Sequence, residues 1–402
     1  MRSNLIFCII LTFAFIQACY GQNQNKLVLL QNPKSAKCLD GSAPGYYFSQ
    51  GYGDGQNKFV LYMEGGFYCN GQTEQEILEN CYQRSFTDLG SSSKWSQTYV
   101  DNGIFSPLQK NNPLFYNWNR VFIRYCDGTY YQSSRDPVVY KNQTLHFRGS
   151  DNFKEIIEDI SNQYGLKNSS IVVLAGGSAG GQGSYFWSQY LRNYLPSTIK
   201  MVASPDCGFN VQLNPVLQDK NPVWVDFITD RKREIIQPQG CPYLHDDQNL
   251  YKCFLTEYII DQINLPVFFI SSLYDQFFIN TYLQINCINS KNALVGCTDL
   301  ELAKIENMRQ KLYDAIAKIR TVKKDWGMWA VSCVLHVFSQ RLSYNNQVYQ
   351  VPEDSQITPS LALKSFIEAV EQNKPLDSFY FIDELAYPNN VRCNGLQNLN
   401  QQ

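Results

Sequence analysis

A short β-branched run, residues 171–175 (Ile-Val-Val-Leu-Ala), leads without a break into Gly176-Gly177-Ser178-Ala179-Gly180-Gly181, and a helix-compatible stretch, residues 182–194, follows. That order of strand, turn and helix leaves few folds open. A strand so short and apolar is buried, and its sheet needs helices over both faces. The turn contains G-x-S-x-G at residues 176–180. Gly176 and Gly180 give room where a Cβ would clash, and Ser178 then projects at the N-terminus of the next helix. There the N–H of Ala179 can point at a developing oxyanion. The competing reading is a glycine-rich turn with a structural serine. A phosphate loop is unsupported: no Lys follows the glycines, and the spacing is wrong for G-x-G-x-x-G.

A serine nucleophile needs a histidine base and an acid that orients it. The chain has 3 His, so the choice is narrow. Where the nucleophile sits in such an elbow, acid and base follow it, acid first. His146 lies upstream, and His245 falls in a polar, turn-like stretch. His336 follows the apolar, strand-like residues 330–335, where the base belongs. Asp275, after the apolar residues 265–274, is the expected acid, and Asp206, after residues 201–204, is its rival.

A second oxyanion donor should come from an early strand's loop. Residues 61–63 run into Glu64-Gly65-Gly66-Phe67-Tyr68-Cys69, which points to the N–H groups of Gly66 and Phe67. Phe67 and Tyr68 are also candidate walls of an acyl pocket. A simple tight turn at Gly65-Gly66 is the plainer alternative.

The chain's start reads as a secretory signal peptide over residues 1–21. Arg2 gives the positive region, residues 5–16 are apolar but for Thr12, and Ala18 and Gly21 are small. That run is too short to span a bilayer, and no later stretch is long enough, so no membrane span is expected after cleavage. Of 13 Cys, Cys8 and Cys19 would leave with the signal. The remaining eleven imply disulfides, with at least one Cys left over. Cys69–Cys81, Cys241–Cys253 and Cys287–Cys297 would each staple a short loop. There is no CxxC pair to suggest a zinc ribbon, and no metal or cofactor is expected. The sequons at Asn142 and Asn168 agree with secretion. With 34 Lys plus Arg against 36 Asp plus Glu, the net charge of −2 argues against nucleic acid as partner.

Further strands are expected over residues 58–63, 120–125, 201–203 and 265–271, and helices over 153–164 and 302–319. Strands alternating with helices imply an α/β fold with a mostly parallel sheet. Residues 22–402 read as one domain with loop insertions. The oligomeric state is not legible.

These residues resemble the pectin acetylesterase/Notum family. Glu64-Gly-Gly-Phe-Tyr-Cys69 is similar to its E-G-G-W-x-C segment, with Phe67 in place of the usual Trp. Asn117-Trp-Asn-Arg-Val121 and Arg124-Tyr-Cys-Asp-Gly128 are similar to its N-W-N-R-V and R-Y-C-D-G stretches. Leu145-His-Phe-Arg-Gly149, Gly177-Ser-Ala-Gly-Gly181, Ser271-Ser-Leu-Tyr-Asp275 and Ser332-Cys-Val-Leu-His336 are similar to further segments. Residues 215–258 carry no such motif. The resemblance implies an α/β-hydrolase fold, a Ser178–His336–Asp275 triad, metal-independent ester hydrolysis outside the cytosol, and a Cys38–Cys126 disulfide. It leaves two substrate classes. One is an acetylated, pectin-type polysaccharide, favoured as the family's broader branch. The other is a secreted protein carrying a fatty acyl group. A catalytically inactive binding module on the same fold is the rival from outside enzymology.

Overall fold

Apolar runs long enough to cross a sheet and short enough to be strands recur along the chain, and they assemble into one sheet. The computed structural model describes residues 25–99, 101–211, 222–230, 236–346, 349–352 and 355–387, with 389 and 393. The expected signal peptide, residues 1–21, lies outside the described residues. In chain order the strands are β1 (Asn25–Leu29), β2 (Gly45–Ser49), β3 (Lys58–Met63), β4 (Thr98–Tyr99), β5 (Asn119–Ile123), β6 (Arg135–Tyr140), β7 (Gln143–Phe147), β8 (Ile171–Gly177), β9 (Lys200–Asp206), β10 (Val267–Ser272), β11 (Trp326–Val331) and β12 (Tyr380–Ile382). The main helices are α1 (Glu74–Arg84), α2 (Gly149–Tyr164), α3 (Ala179–Tyr194), α4 (Pro222–Thr229), α5 (Asp299–Val322) and α6 (Pro359–Glu371).

Ten strands form one sheet in the order β12-β11-β10-β9-β8-β3-β5-β2-β1-β4, and β6 and β7 form a separate hairpin. From β12 to β5 every neighbour pair is parallel; β2, β1 and β4 add antiparallel strands at one edge. The parallel strands inside the sheet are buried on both faces, while the edge strand β12 is half-buried. Val172 and Leu174 of β8 join one core with α2, α3 and α5, while Ile171, Val173 and Ala175 join a second core with α6. This is the α/β-hydrolase arrangement. Parallel strands bring all their C-terminal ends to one edge, where ligand crevices form in α/β sheets.

The expected strands and helices are present with shifted ends. α2 begins four residues before the expected residue 153, because its first turn, Gly-Ser-Asp-Asn, carries no apolar periodicity. Residues 330–335 are not one strand: β11 stops at Val331, and Val334 and Leu335 are buried in the loop beyond it. Capping boxes at Thr73 and Thr298 start α1 and α5.

Among the described residues five disulfides are present: Cys38–Cys126, Cys69–Cys81, Cys241–Cys253, Cys287–Cys297 and Cys333–Cys393. Cys207 is free and buried. Both sequon residues, Asn142 and Asn168, are exposed. Among the described residues no helix is long and apolar enough to cross a membrane.

Candidate active site

From residue 171 to residue 188 every residue is buried except Ser178. β8 delivers it to the sheet edge, and it stands as the N-cap of α3 with φ 57° and ψ −124°. That backbone is strained for a residue with a Cβ. Its neighbours must be glycines: a Cβ on Gly176 would lie 2.1 Å from the Gly180 carbonyl oxygen, and one on Gly180 would lie 2.0 Å from that of Met63. Ala179 opens α3, so its N–H belongs to the first turn, where helix N–H groups lack intrahelical partners.

His336 and Asp275 meet as a pair. Nδ1 of His336 lies 2.9 Å and 2.8 Å from the two carboxylate oxygens of Asp275, at the turn after β10. Asp275 Oδ1 also accepts the N–H groups of Phe277 and Phe278 at 2.8 and 3.2 Å. With Nδ1 donating to a carboxylate, the neutral ring leaves Nε2 as an acceptor. Nε2 is buried and has no hydrogen-bond partner among the described residues. Burial alone would lower the imidazole pKa; the charge and hydrogen bond of Asp275, with the charge of Asp206, outweigh it and raise the value.

Ser178 and His336 face one open cavity of about 410 Å³, lined also by Gly65, Gly66, Phe67 and Phe277. The Phe277 ring stacks on His336 at 5.2 Å and meets the Phe67 ring edge-on at 5.1 Å. Tyr68 is elsewhere. It lines a separate void of about 40 Å³ with Tyr130, Trp224, Phe254 and Tyr282, and its ring lies 4.6 Å from that of Trp224. The Gly66–Phe67 turn sits beside Ser178: Gly65 packs so close that a Cβ there would lie 3.0 Å from the Ser178 Cβ.

Non-glycine residues with positive φ gather here: Phe67 (58°), Ser178 (57°), Cys207 (49°) and Val337 (61°). For a β-branched residue such as Val337 this is a true outlier. Its loop is held by Arg341, whose side chain donates to the carbonyls of Val337 and His336, and by Cys207, whose sulfur accepts the Val337 N–H at 3.2 Å. Cys207 Sγ, Asp275 and His336 bring ligand atoms within 4.8 Å of one another, the one such group among the described residues. Asp275 and His336 already bond each other there, and burial pushes the Cys207 thiol pKa well up, away from the thiolate a metal takes.

Asp206, the rival acid, does other work. Its Oδ2 accepts the N–H of Phe338 and both the N–H and hydroxyl of Ser339, so it grips the loop that carries His336. Sequence reading also passed over Glu64, which lines the cavity mostly buried. Burial pushes its carboxyl up to about 7, against the pull of Arg124, 3.0 Å away, and the Tyr125 N–H. A charge set directly before Gly65-Gly66 was the available signal.

The sequence profile of the pectinacetylesterase family matches residues 19–394. The chain is similar to Pectin acetylesterase 5 of Arabidopsis thaliana, 30% identical over 385 residues, 92% of this chain and 84% of that protein. It is 31% identical over 323 residues to Pectin acetylesterase 4 of the same plant, 77% of this chain and 76% of that protein. It is 30% identical over 332 residues to Palmitoleoyl-protein carboxylesterase notum1a of Danio rerio, 79% of this chain and 61% of that protein. The serine elbow, the His–Asp pair and the glycine turn on one α/β sheet thus come with a match over nearly the whole length, and the chain belongs to the pectinacetylesterase family of carboxylic-ester hydrolases.

Proposed function

We propose that the protein removes acetyl groups from a pectin-type polysaccharide, with Ser178 as nucleophile, His336 as base and Asp275 as its orienting acid. The observation that carries the reading is the unpartnered Nε2 of His336, in the same cavity as Ser178, on a ring whose Nδ1 is held by Asp275. Nε2 takes the hydroxyl proton as the serine oxygen attacks the ester carbonyl. The N–H groups of Gly66, Phe67 and Ala179 hold the oxyanion. Nε2 gives the proton to the departing sugar oxygen, which leaves as a hydroxyl; water, deprotonated by His336, then attacks the acyl-serine, and the proton returns to Ser178 as acetate departs.

The relatives named as pectin acetylesterases support acetyl over a long acyl group. Residues 22–402 are taken as one domain, because the sheet draws strands from residue 25 to residue 382. Secretion is supported by the five disulfides and the two exposed sequons.

Hydrolysis of p-nitrophenyl acetate and p-nitrophenyl octanoate by the purified protein tests the reading. Strong preference for acetate is expected. Preference for octanoate would replace the acetyl assignment with a lipid-type acyl substrate, and no turnover of either ester or of acetylated pectin would favour a binding module.

A further inference from the structure

Arg84 is the last residue of α1, and its side chain reaches the glycine turn. Its Nη2 donates to the Gly66 carbonyl at 2.5 Å, and its Nε donates to the Leu89 carbonyl at 3.2 Å. The guanidinium lies 5.2 Å from the ring centre of Tyr125. α1 is fastened to the same turn a second time, because Cys81 is bonded to Cys69. Residues 66–69, the disulfide, the end of α1 and the Arg84–Gly66 hydrogen bond therefore close a small ring.

The ring fixes one peptide plane. The Gly66–Phe67 bond is trans, so its carbonyl and its N–H point to opposite sides. With the carbonyl drawn to Arg84, the Phe67 N–H is turned the other way, and Phe67 lines the cavity that Ser178 faces. That N–H has no acceptor among the described residues. The turn's φ is 58° at Phe67, which is costly for a residue with a Cβ, and 141° at Gly66, which glycine adopts freely. A cation on the carbonyl also polarises the amide and strengthens its N–H as a donor.

We propose that Arg84 is a positioning residue that presets the Phe67 N–H as an oxyanion donor, with the Cys69–Cys81 disulfide holding Arg84 in range. The inference rests on the serine-esterase reading above. It is tested with p-nitrophenyl acetate kinetics and with a short-chain trifluoromethyl ketone, whose serine adduct places an oxyanion in the same hole. Arg84→Ala and Arg84→Gln should lose about 10- to 100-fold in kcat with KM nearly constant, less than the full loss of a donor because the amide is displaced and not removed. The ketone should bind more weakly by the same factor. Arg84→Lys should fall between these variants and the wild type, and added guanidinium should restore part of the rate to Arg84→Ala alone. Unchanged kcat and ketone affinity would overturn the inference, as would a rate loss confined to KM. Loss of folding without guanidinium response would mean a structural role only, and overturn it too. If Ser178→Ala keeps wild-type activity, the esterase reading fails; if Ser178 is essential and the Arg84 variants behave as wild type, this inference alone fails.

Discussion

The carbonyl oxygen of Asp206 accepts the backbone N–H of Ser178 at 2.9 Å, while its carboxylate accepts the N–H of Ser339 at 2.6 Å. One residue at the end of β9 thus holds the turn bearing the serine and the loop bearing the histidine. It sets their spacing without touching either reactive side chain. The first attachment arises because β8 and β9 are parallel neighbours that end together, Gly177 opposite Asp206.

Asp206→Ala would strand two buried N–H donors, those of Phe338 and Ser339, while the Ser339 hydroxyl keeps the Tyr62 hydroxyl as a partner at 2.9 Å. Each costs about 1–3 kcal/mol when left unpaired, so a loss of roughly 2 kcal/mol or more is expected. The Ser178 N–H bond, made to the main chain, would survive. Denaturant unfolding should show the lower midpoint, and activity should fall with it. A variant as stable as wild type would remove Asp206 from this role.

Asp275→Asn separates the carboxylate bonded to His336 from its rival. The amide cannot hold the imidazole in the tautomer that leaves Nε2 free, and kcat should fall by about 10⁴ with folding intact. The pH profile gives the sign. His336 must be neutral to act, so kcat/KM should rise as pH passes upward through its folded-state pKa. That value lies above the free 6.5 because Asp275 overcomes the effect of burial. Replacing Asp275 leaves burial to dominate, and the acid limb should move to lower pH. The same shift has a stability sign. His336 contributes stability in full below its unfolded pKa and loses it as pH rises through the raised folded value. An acid limb that stays in place in Asp275→Asn would contradict the pairing.

The disulfides should not be equal. Cys38–Cys126 closes a separation of 88 residues and Cys287–Cys297 one of 10. Chain-entropy reasoning gives about 4.6 and 2.7 kcal/mol, so opening the first should cost about 2 kcal/mol more. Thermal melts of the two paired Cys→Ser variants check the order; equal losses would refute it.

What the sequence revealed was local. Residues 171–194 announced strand, turn and helix because glycine spacing and periodicity are short-range signals. The three short-loop disulfides were legible for the same reason, whereas Cys333–Cys393 spans 60 residues with no motif between its ends. Residues 330–335 misled because burial, not strand geometry, makes Val334 and Leu335 apolar. Asp206 and Arg84 act on peptide groups far away in sequence, at Ser339 and Gly66, and no pattern in their own neighbourhoods marks them. The choice between Asp275 and Asp206 needed the fold, since both end parallel strands and only one meets His336.

Trapping the acyl-serine tests the central claim most directly. The protein is mixed with p-nitrophenyl acetate, quenched in acid within the first turnovers, digested and weighed by mass spectrometry. A mass gain of one acetyl group on the peptide containing Ser178, absent from Ser178→Ala, is the predicted result. Turnover that persists in Ser178→Ala, or an acetyl group found on another residue while Ser178 stays unmodified, would contradict the account.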